Sequence, residues 1–400
     1  MTKSKSKKLC LATTYNGTML FYREMCTILR RNGWNVTLLA GGELEKFKSY
    51  QFCSDRQVFV PQLVRKPKPL IDFLCLCRLL VFFVFNRFDL VYVASPKAGL
   101  LVNLAARLTG HRVLYSIIGR AYEDFKGPKR AVYTLMERVS CLCARRVVAI
   151  TPSLCQAILK DKCCPAKKLT QIHLRPGRQE ELARFDPAQY SREQVEELRA
   201  RYNVPLDATL LLFVGRLCRD KGVRELVKAF VELQKTNENL YLIMVGKDDD
   251  PNRLMGEQTW NELENNARII RTGLMPREAV PLFYCACDIF VCPTYREARS
   301  AVGIEAARLE RPVVLTDAVG ARDSLIDGQT GIMVPTRQVE PLVAALQRLI
   351  DSPQLRRQMG RAGRQFVLDT IKRTPDAVIV NFIETVAGVA PRGQEYRFDA

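Results

Sequence analysis

The chain has 400 residues, 48% of them hydrophobic, and 61 Lys and Arg against 42 Asp and Glu, a formal net charge of +19. That length exceeds what one hydrophobic core serves and suits two, and no internal repeat or low-complexity segment interrupts it. The positive balance calls for an anionic partner, such as nucleic acid, anionic lipid or a phosphorylated substrate. No zinc-finger spacing, RNA-binding signature or basic helix interleaved with aromatics is present, which sets nucleic acid aside. Fourteen cysteines do not make a disulfide framework in so long a chain. Many of them (Cys75, Cys77, Cys141, Cys143, Cys285, Cys287) lie inside apolar runs, where a thiol acts as a small hydrophobe in a reducing cytoplasm. The pair Cys163–Cys164 lacks the second C-x2-C or the histidines that zinc needs, and His111 and His173 are too few for a histidine site.

In chain order, MTKSKSKK reads as a solvated basic tail, or as a contributor to binding an anionic membrane, and not as a signal peptide. A strand over Leu9–Ala12 leads to a loop with Asn16-Gly17, a helix ending at Arg31 before Asn32-Gly33, and a strand over Asn35–Leu39. This start is βαβ but has no G-x-G-x-x-G, so dinucleotide binding is not expected. Gly17 is either a phosphate-facing backbone position or a plain tight turn. Next, Arg65, Lys66 and Lys68 precede Leu70–Phe85, an apolar run broken by Asp72 and Arg78. It is too short to span a bilayer. It fits either a helix lying in a membrane interface or an ordinary buried helix. Strands are expected over Leu90–Ala94, Val113–Ile117 and Val147–Ile150. Ser95 is positioned to cap the helix after Leu90–Ala94, with Pro96 at its first position and Lys97 near an anion-attracting helix start. Helices over about 129–143 and from Thr151-Pro152 complete the first half.

Residues 173–207 are charged and turn-rich and read as the interdomain connection, with a linker over 181–206. The alternation then resumes. Strand Leu210–Val214 ends in Gly215-Arg216 and is followed by Lys221-Gly222 and a helix to about Gln234. Strand Leu240–Val245 is followed by Asp248-Asp249-Asp250, a solvated loop before proline and not a metal site. A strand near 266–271 runs into Thr272-Gly273-Leu274. Strand Ile289–Cys292, a polar loop with Glu297, a helix with Glu305 and strand Pro312–Thr316 form a second βαβ unit. Ligands of such sheets bind where strand ends meet helix starts. The amides of Ser300 and Ala301 would meet a phosphate there, and two carboxylates would accept bonds from sugar hydroxyls. Three amphipathic helices, over about 340–352, 353–370 and 375–387, close the chain. The fold class expected is α/β, two Rossmann-like doubly wound parallel-sheet domains, 1–180 and 207–372, with residues 373–400 forming a last helix.

The E-x7-E spacing of Glu297 and Glu305, with CDIFVCPTYRE, PVVLTDAVGARDSLIDGQTGIMVP and FVGRLCRDKGVRELVKAF around and before it, resembles the donor site of retaining GT-B glycosyltransferases of the family 4 type. The likeness is to bacterial members that extend lipid-linked saccharides in capsule and O-antigen assembly. It covers most of the chain and is strongest over about residues 205–350. It implies a GT-B fold with a central cleft, and a last helix that crosses back onto the N-terminal domain. Arg216 and Lys221, beside Gly215, would stabilise the departing diphosphate, as a guanidinium fork and a point charge can. By resemblance Glu305 bonds the ribose, Glu297 the transferred sugar, and Thr272, Gly273 and Leu274 lie by the base.

Two departures stand out. Relatives read E-G-F-G where this chain has Glu297-Ala298-Arg299-Ser300, which narrows the backbone angles and adds a cation able to reach a phosphate or an acidic acceptor. Ile118 replaces a histidine common on the acceptor side, leaving Arg120, Tyr122, Glu123 and Asp124 as substitutes. The expectation is a metal-independent hexosyltransferase with a nucleoside diphosphate sugar, UDP-linked, as co-substrate and no other cofactor. Its acceptor would be a polyprenyl-diphosphate-linked saccharide, and its place the cytoplasm, peripheral on the inner face of the plasma membrane. A nucleotide-sugar epimerase and a non-catalytic membrane- or partner-binding relative are the alternatives.

Overall fold

The computed structural model describes residues 6–15, 18–19, 22–64, 66–120, 122–123, 125–172, 182–370, 374–391, 393 and 395–397. The chain divides into two compact units, Met1–Gly177 with Arg373–Ala400, and Arg178–Lys372. Gly17 and Asp124 lie outside the described residues.

The first unit is a seven-stranded parallel sheet of β1 (Lys7–Thr13), β2 (Trp34–Ala40), β3 (Arg56–Phe59), β4 (Leu90–Ala94), β5 (Val113–Ile117), β6 (Arg146–Ala149) and β7 (Leu169–Gln171). Its order is β3-β2-β1-β4-β5-β6-β7. The central strands are continuous apolar runs because both faces are covered by helices. The helices Pro69–Phe85, Pro96–Leu108 and Gly127–Cys143 pack side by side in that order. Asp376–Ala387 packs with Arg23–Arg31 and places Ile379, Phe382, Ile383 and Val386 in the first unit's core. Four such side chains contribute roughly 6–12 kcal/mol of gross apolar burial. An ion pair from Lys7 to Glu384 ties the helix to β1.

Several local expectations change here. Ser95 does not cap its helix. Its hydroxyl instead accepts the Thr14 amide at 2.9 Å, and Thr14 Oγ1 accepts the Ala98 amide at 2.9 Å. A threonine 81 residues upstream of Ser95 thus supplies the cap. Lys97 turns from the helix start to Asp72, 2.6 Å away. Arg120, Tyr122 and Glu123 do not form a polar acceptor surface. Arg120 is fully buried and pairs with Glu137 at 2.9 Å, Glu123 at 3.2 Å and Asp161, and the Tyr122 hydroxyl donates to Glu137. All fourteen cysteines are free thiols and ten are buried, as small hydrophobes would be.

The second unit is a six-stranded parallel sheet of β8 (Thr209–Val214), β9 (Leu240–Val245), β10 (Ile269–Gly273), β11 (Ile289–Cys292), β12 (Val313–Thr316) and β13 (Gly331–Val334). Its order is β10-β9-β8-β11-β12-β13. The linker expectation for 181–206 is corrected. Arg192–Arg201 is a helix with a Ser191/Gln194 capping box, and Leu182, Phe185 and Leu198 are buried in this unit's core. Arg199, itself buried, donates to the carbonyls of Ala286 and Ala208 and pairs with Asp288 at 2.9 Å. A turn-rich composition concealed a segment anchored by one arginine.

Candidate functional site

The order of the second sheet reverses between β8 and β11, which pair directly. The loops leaving their carboxyl ends are therefore neighbours, the place where open parallel sheets bind ligands. After β8, the turn Arg219–Lys221 ends at Gly222, which opens the helix Val223–Gln234. Gly222 has φ +70°, and a Cβ there would lie 2.0 Å from the Pro293 carbonyl oxygen. Only glycine lets the two loops touch.

The loop after β11 is latched onto that turn. The Tyr295 amide donates to the Asp220 carbonyl at 2.9 Å, Thr294 Oγ1 donates to the same oxygen at 3.2 Å, and Arg296 pairs with Asp220. Below, the Tyr295 hydroxyl donates to the buried Glu225 at 2.6 Å. The latch brings Lys221 against Glu297 as an ion pair, each side chain about one-fifth exposed. Burial works to lower the lysine's pKa, but the Glu297 carboxylate outweighs it and holds the ammonium above its ordinary value. Gly320 seats the loop from the other side. Its φ is +85°, and a Cβ would lie 2.4 Å from the carbonyl oxygens of both Glu297 and Ala298.

The helix Ala301–Arg308 starts beside this pair. Ser300 is its N-cap, accepting the Gly303 amide at 3.2 Å. The Ser300 amide is buried and donates to Ser324 Oγ at 3.2 Å, so it is already used within the protein. Ala301 stands at the first helical position. Arg299 is half-buried in the same loop. One turn into the helix, Glu305 accepts from the buried Tyr284 hydroxyl at 3.1 Å. Burial, then the Glu305 carboxylate, raises the tyrosine's pKa well above normal, which keeps it a donor. Glu305 also borders a cavity of about 180 Å³ lined by Leu182, Phe185, Val214, Arg277 and Val280.

Gly215 and Arg216 lie at the end of β8, and Arg216 is more than half exposed and pairs with Asp249. It is near enough to Lys221 for the two cations to repel. Thr272, Gly273 and Leu274 sit at the end of edge strand β10, with the Gly246 amide on the Gly273 carbonyl at 2.9 Å and Leu274 exposed. The three adjacent acids separate: Asp248 pairs with Arg271 at 3.0 Å and Asp249 with Arg216. Asp250 is buried and accepts the amides of Leu254 and Met255 and the Trp260 indole N–H. Lys221, Glu297, Ser300 and Glu305 are thus assembled at one strand junction, with Arg216 at its edge. The latch of Asp220, Glu225 and Tyr295, and the Tyr284 donor, were missed in the sequence. One signal existed for Glu225, an acid on the apolar face of a helix between Val223 and Leu226.

Residues 194–366 match the family model "Glycosyl transferases group 1", and residues 16–175 match "Glycosyl transferase 4-like domain". Together these span both units and most of the chain. The chain belongs to the group 1, family 4-type glycosyltransferases. Among relatives of this glycosyltransferase, the capsular polysaccharide biosynthesis glycosyltransferase CapM of Staphylococcus aureus is 27% identical over 369 residues, 91% of this chain and 93% of CapM. The putative teichuronic acid biosynthesis glycosyltransferase TuaC of Bacillus subtilis is 33% identical over 168 residues, 42% of this chain and 39% of TuaC. Anabaena HepE, solved in complex with UDP and glucose, superposes with a TM-score of 0.71 at 15% identity, over 94% of this chain and 97% of HepE. That likeness is one of fold: two parallel-sheet α/β domains of the GT-B class.

Proposed function

We propose that this glycosyltransferase moves a hexose or N-acetylhexosamine, with retention, from a UDP-linked sugar to a polyprenyl-diphosphate-linked saccharide in surface polysaccharide assembly. The observation that carries the reading is the Lys221–Glu297 pair held over the start of the Ala301–Arg308 helix, where β8 and β11 end. The relatives CapM and TuaC support the polysaccharide setting, and the UDP bound to HepE supports the nucleotide.

In this reading the donor diphosphate takes Lys221 from Glu297, with Arg216 and Arg299 adding charge. The freed Glu297 then accepts hydroxyls of the sugar, and Glu305, aligned by Tyr284, accepts those of the ribose. The cavity of about 180 Å³ beside Glu305 is where the ribose would sit. Gly17, Gly215 and the Thr272–Leu274 segment are assigned to the acceptor phosphate, the diphosphate and the base. The acceptor hydroxyl attacks the anomeric carbon on the leaving-group face, the sugar–phosphate bond breaks with its electron pair on the diphosphate, and a phosphate oxygen takes the hydroxyl proton. No metal or other cofactor enters this scheme. The enzyme works peripherally at an anionic membrane face.

Calorimetric titration with UDP, GDP and UDP-N-acetylglucosamine tests the reading. Micromolar UDP binding, weakened at least tenfold by Glu305→Ala, is the expected result. A folded sample that binds none of the three overturns it.

A further inference from the structure

The helix Pro69–Phe85 is apolar except for Asp72 and Arg78, yet it buries only Cys75, Leu79 and Phe83. Leu70, Phe73, Leu74, Val81, Val84 and Phe85 are exposed, by 83%, 65%, 59%, 58%, 51% and 81%. At about 100° per residue they fill a sector roughly 120° wide, centred opposite the buried stripe. An exposed apolar sector this wide belongs against a core or lipid, and single exposed apolar residues do not make such a stripe.

The feature does not stop at one helix. Two helices across the same layer, Gly127–Cys143 exposes Val132, Leu135 and Leu142, a second stripe at helical spacing. The helix between them, Pro96–Leu108, is largely buried and contributes Leu108 at its exposed end.

The charges around these stripes are of one sign. Residues 61–87 carry five Lys and Arg against one acid, and residues 126–146 carry six against one. Both acids are neutralised inward, Asp72 by Lys97 at 2.6 Å and Glu137 by Arg120 at 2.9 Å. Of the bases, Arg130 is paired with Asp161 at 2.8 Å; a protein partner would still meet an apolar surface with an excess of positive charge at its rim. An anionic bilayer supplies the acyl region for the stripes and phosphates for the rim.

We propose that the outer faces of Pro69–Phe85 and Gly127–Cys143 form one two-helix docking surface for an anionic lipid bilayer. The first helix, 17 residues long, falls short of the roughly 20 a span requires, and so lies in the interface. The proposal rests on the membrane part of the reading above and goes beyond it by assigning the contact to these two helices.

The test is flotation of the full chain with vesicles of phosphatidylcholine alone and of phosphatidylcholine with 30 mol% phosphatidylglycerol, a probe composition. Binding to the anionic vesicles is expected. Phe73→Asp with Phe85→Asp should lower it by about 100-fold or more, and Leu135→Asp by about 10-fold. Lys66→Glu with Lys68→Glu should weaken binding about 10-fold on anionic vesicles and little on neutral ones. UDP titration of the same samples serves as the fold control. It also separates the two readings, because vesicle binding without UDP binding sinks the transferase and leaves this surface standing. Wild-type binding by the aspartate variants overturns the proposal. So does light scattering that finds a dimer dissociated by Phe73→Asp with Phe85→Asp and indifferent to vesicles, since a second copy would then cover the face. Loss with the Phe73/Phe85 pair but none with Leu135→Asp overturns the two-helix surface.

Discussion

Replacing Glu297 by glutamine should move nucleotide binding and sugar transfer in opposite directions. In the resting protein Lys221 is already bound to Glu297, so an arriving diphosphate competes with that carboxylate for the ammonium and feels its charge. An anion seated on Lys221 lies within about 6 Å of Glu297, and at an effective dielectric constant near 40 the repulsion is about 1.4 kcal/mol per unit charge. Both side chains are about one-fifth exposed, so screening leaves roughly 1 kcal/mol. Glu297→Gln is therefore expected to tighten UDP binding about fivefold. A UDP-sugar, which gains hydroxyl contacts from the native carboxylate, should show a smaller gain or none, and transfer should fall by a hundredfold or more. Calorimetry with UDP and with the sugar nucleotide measures both affinities on one preparation. Weaker UDP binding by the glutamine variant would refute the reasoning, for it would make Glu297 a support of the nucleotide and not its competitor.

Lys221→Ala should weaken UDP binding about 10- to 100-fold, the worth of a charge-assisted contact, read by the same titration. The native lysine's pKa is raised, and a raised lysine pKa means stabilisation present below the unfolded value and lost as pH rises through the folded one. Lys221 should accordingly contribute no loss of UDP affinity between pH 7 and 8.5, below the range where the uracil ring itself titrates; a decline within that window would contradict this. Gly320→Ala adds a Cβ 2.4 Å from two carbonyl oxygens at a positive φ, and should cost about 2 kcal/mol or more, seen as a lowered urea midpoint together with weakened UDP binding. Asp250→Ala removes the acceptor of two amides and an indole N–H. It should destabilise by about 2–3 kcal/mol, and chelators should not reproduce the effect.

The fold was legible where burial made the sequence uniform. Strands such as Leu240–Val245 and Ile289–Cys292 are covered on both faces and read as apolar blocks, which is why the doubly wound alternation could be seen. The edges were not legible. β3 and β7 bound the first sheet, and with four and three residues, half-covered and mixed in composition, neither carried a pattern; β13 is apolar but only four residues long and opens on a glycine. At the site, the sequence singled out Lys221 and Glu297, which the fold pairs, and Glu305, which it sets on the helix that follows. What failed was the assignment of polar residues to open surface. Arg120 looked like a ligand-facing cation because nothing in its neighbourhood announces Glu137, 17 residues on, or Asp161, 41 residues on, as its buried partners. Lys97 went astray for the same reason. An ion pair closed by tertiary structure leaves no local trace.

The first unit is built from two stretches of chain separated by the whole of the second. Its core lacks Ile379, Phe382 and Ile383 until about 200 further residues have been made, roughly 10–40 s of synthesis. The second unit is continuous in sequence, and all of it is made before the helix that completes its predecessor. A nascent chain thus carries an incomplete amino-terminal half for most of its manufacture, with the apolar seat of the last helix open beside already formed strands. A helix made after the whole of the second unit is thus needed to complete the first.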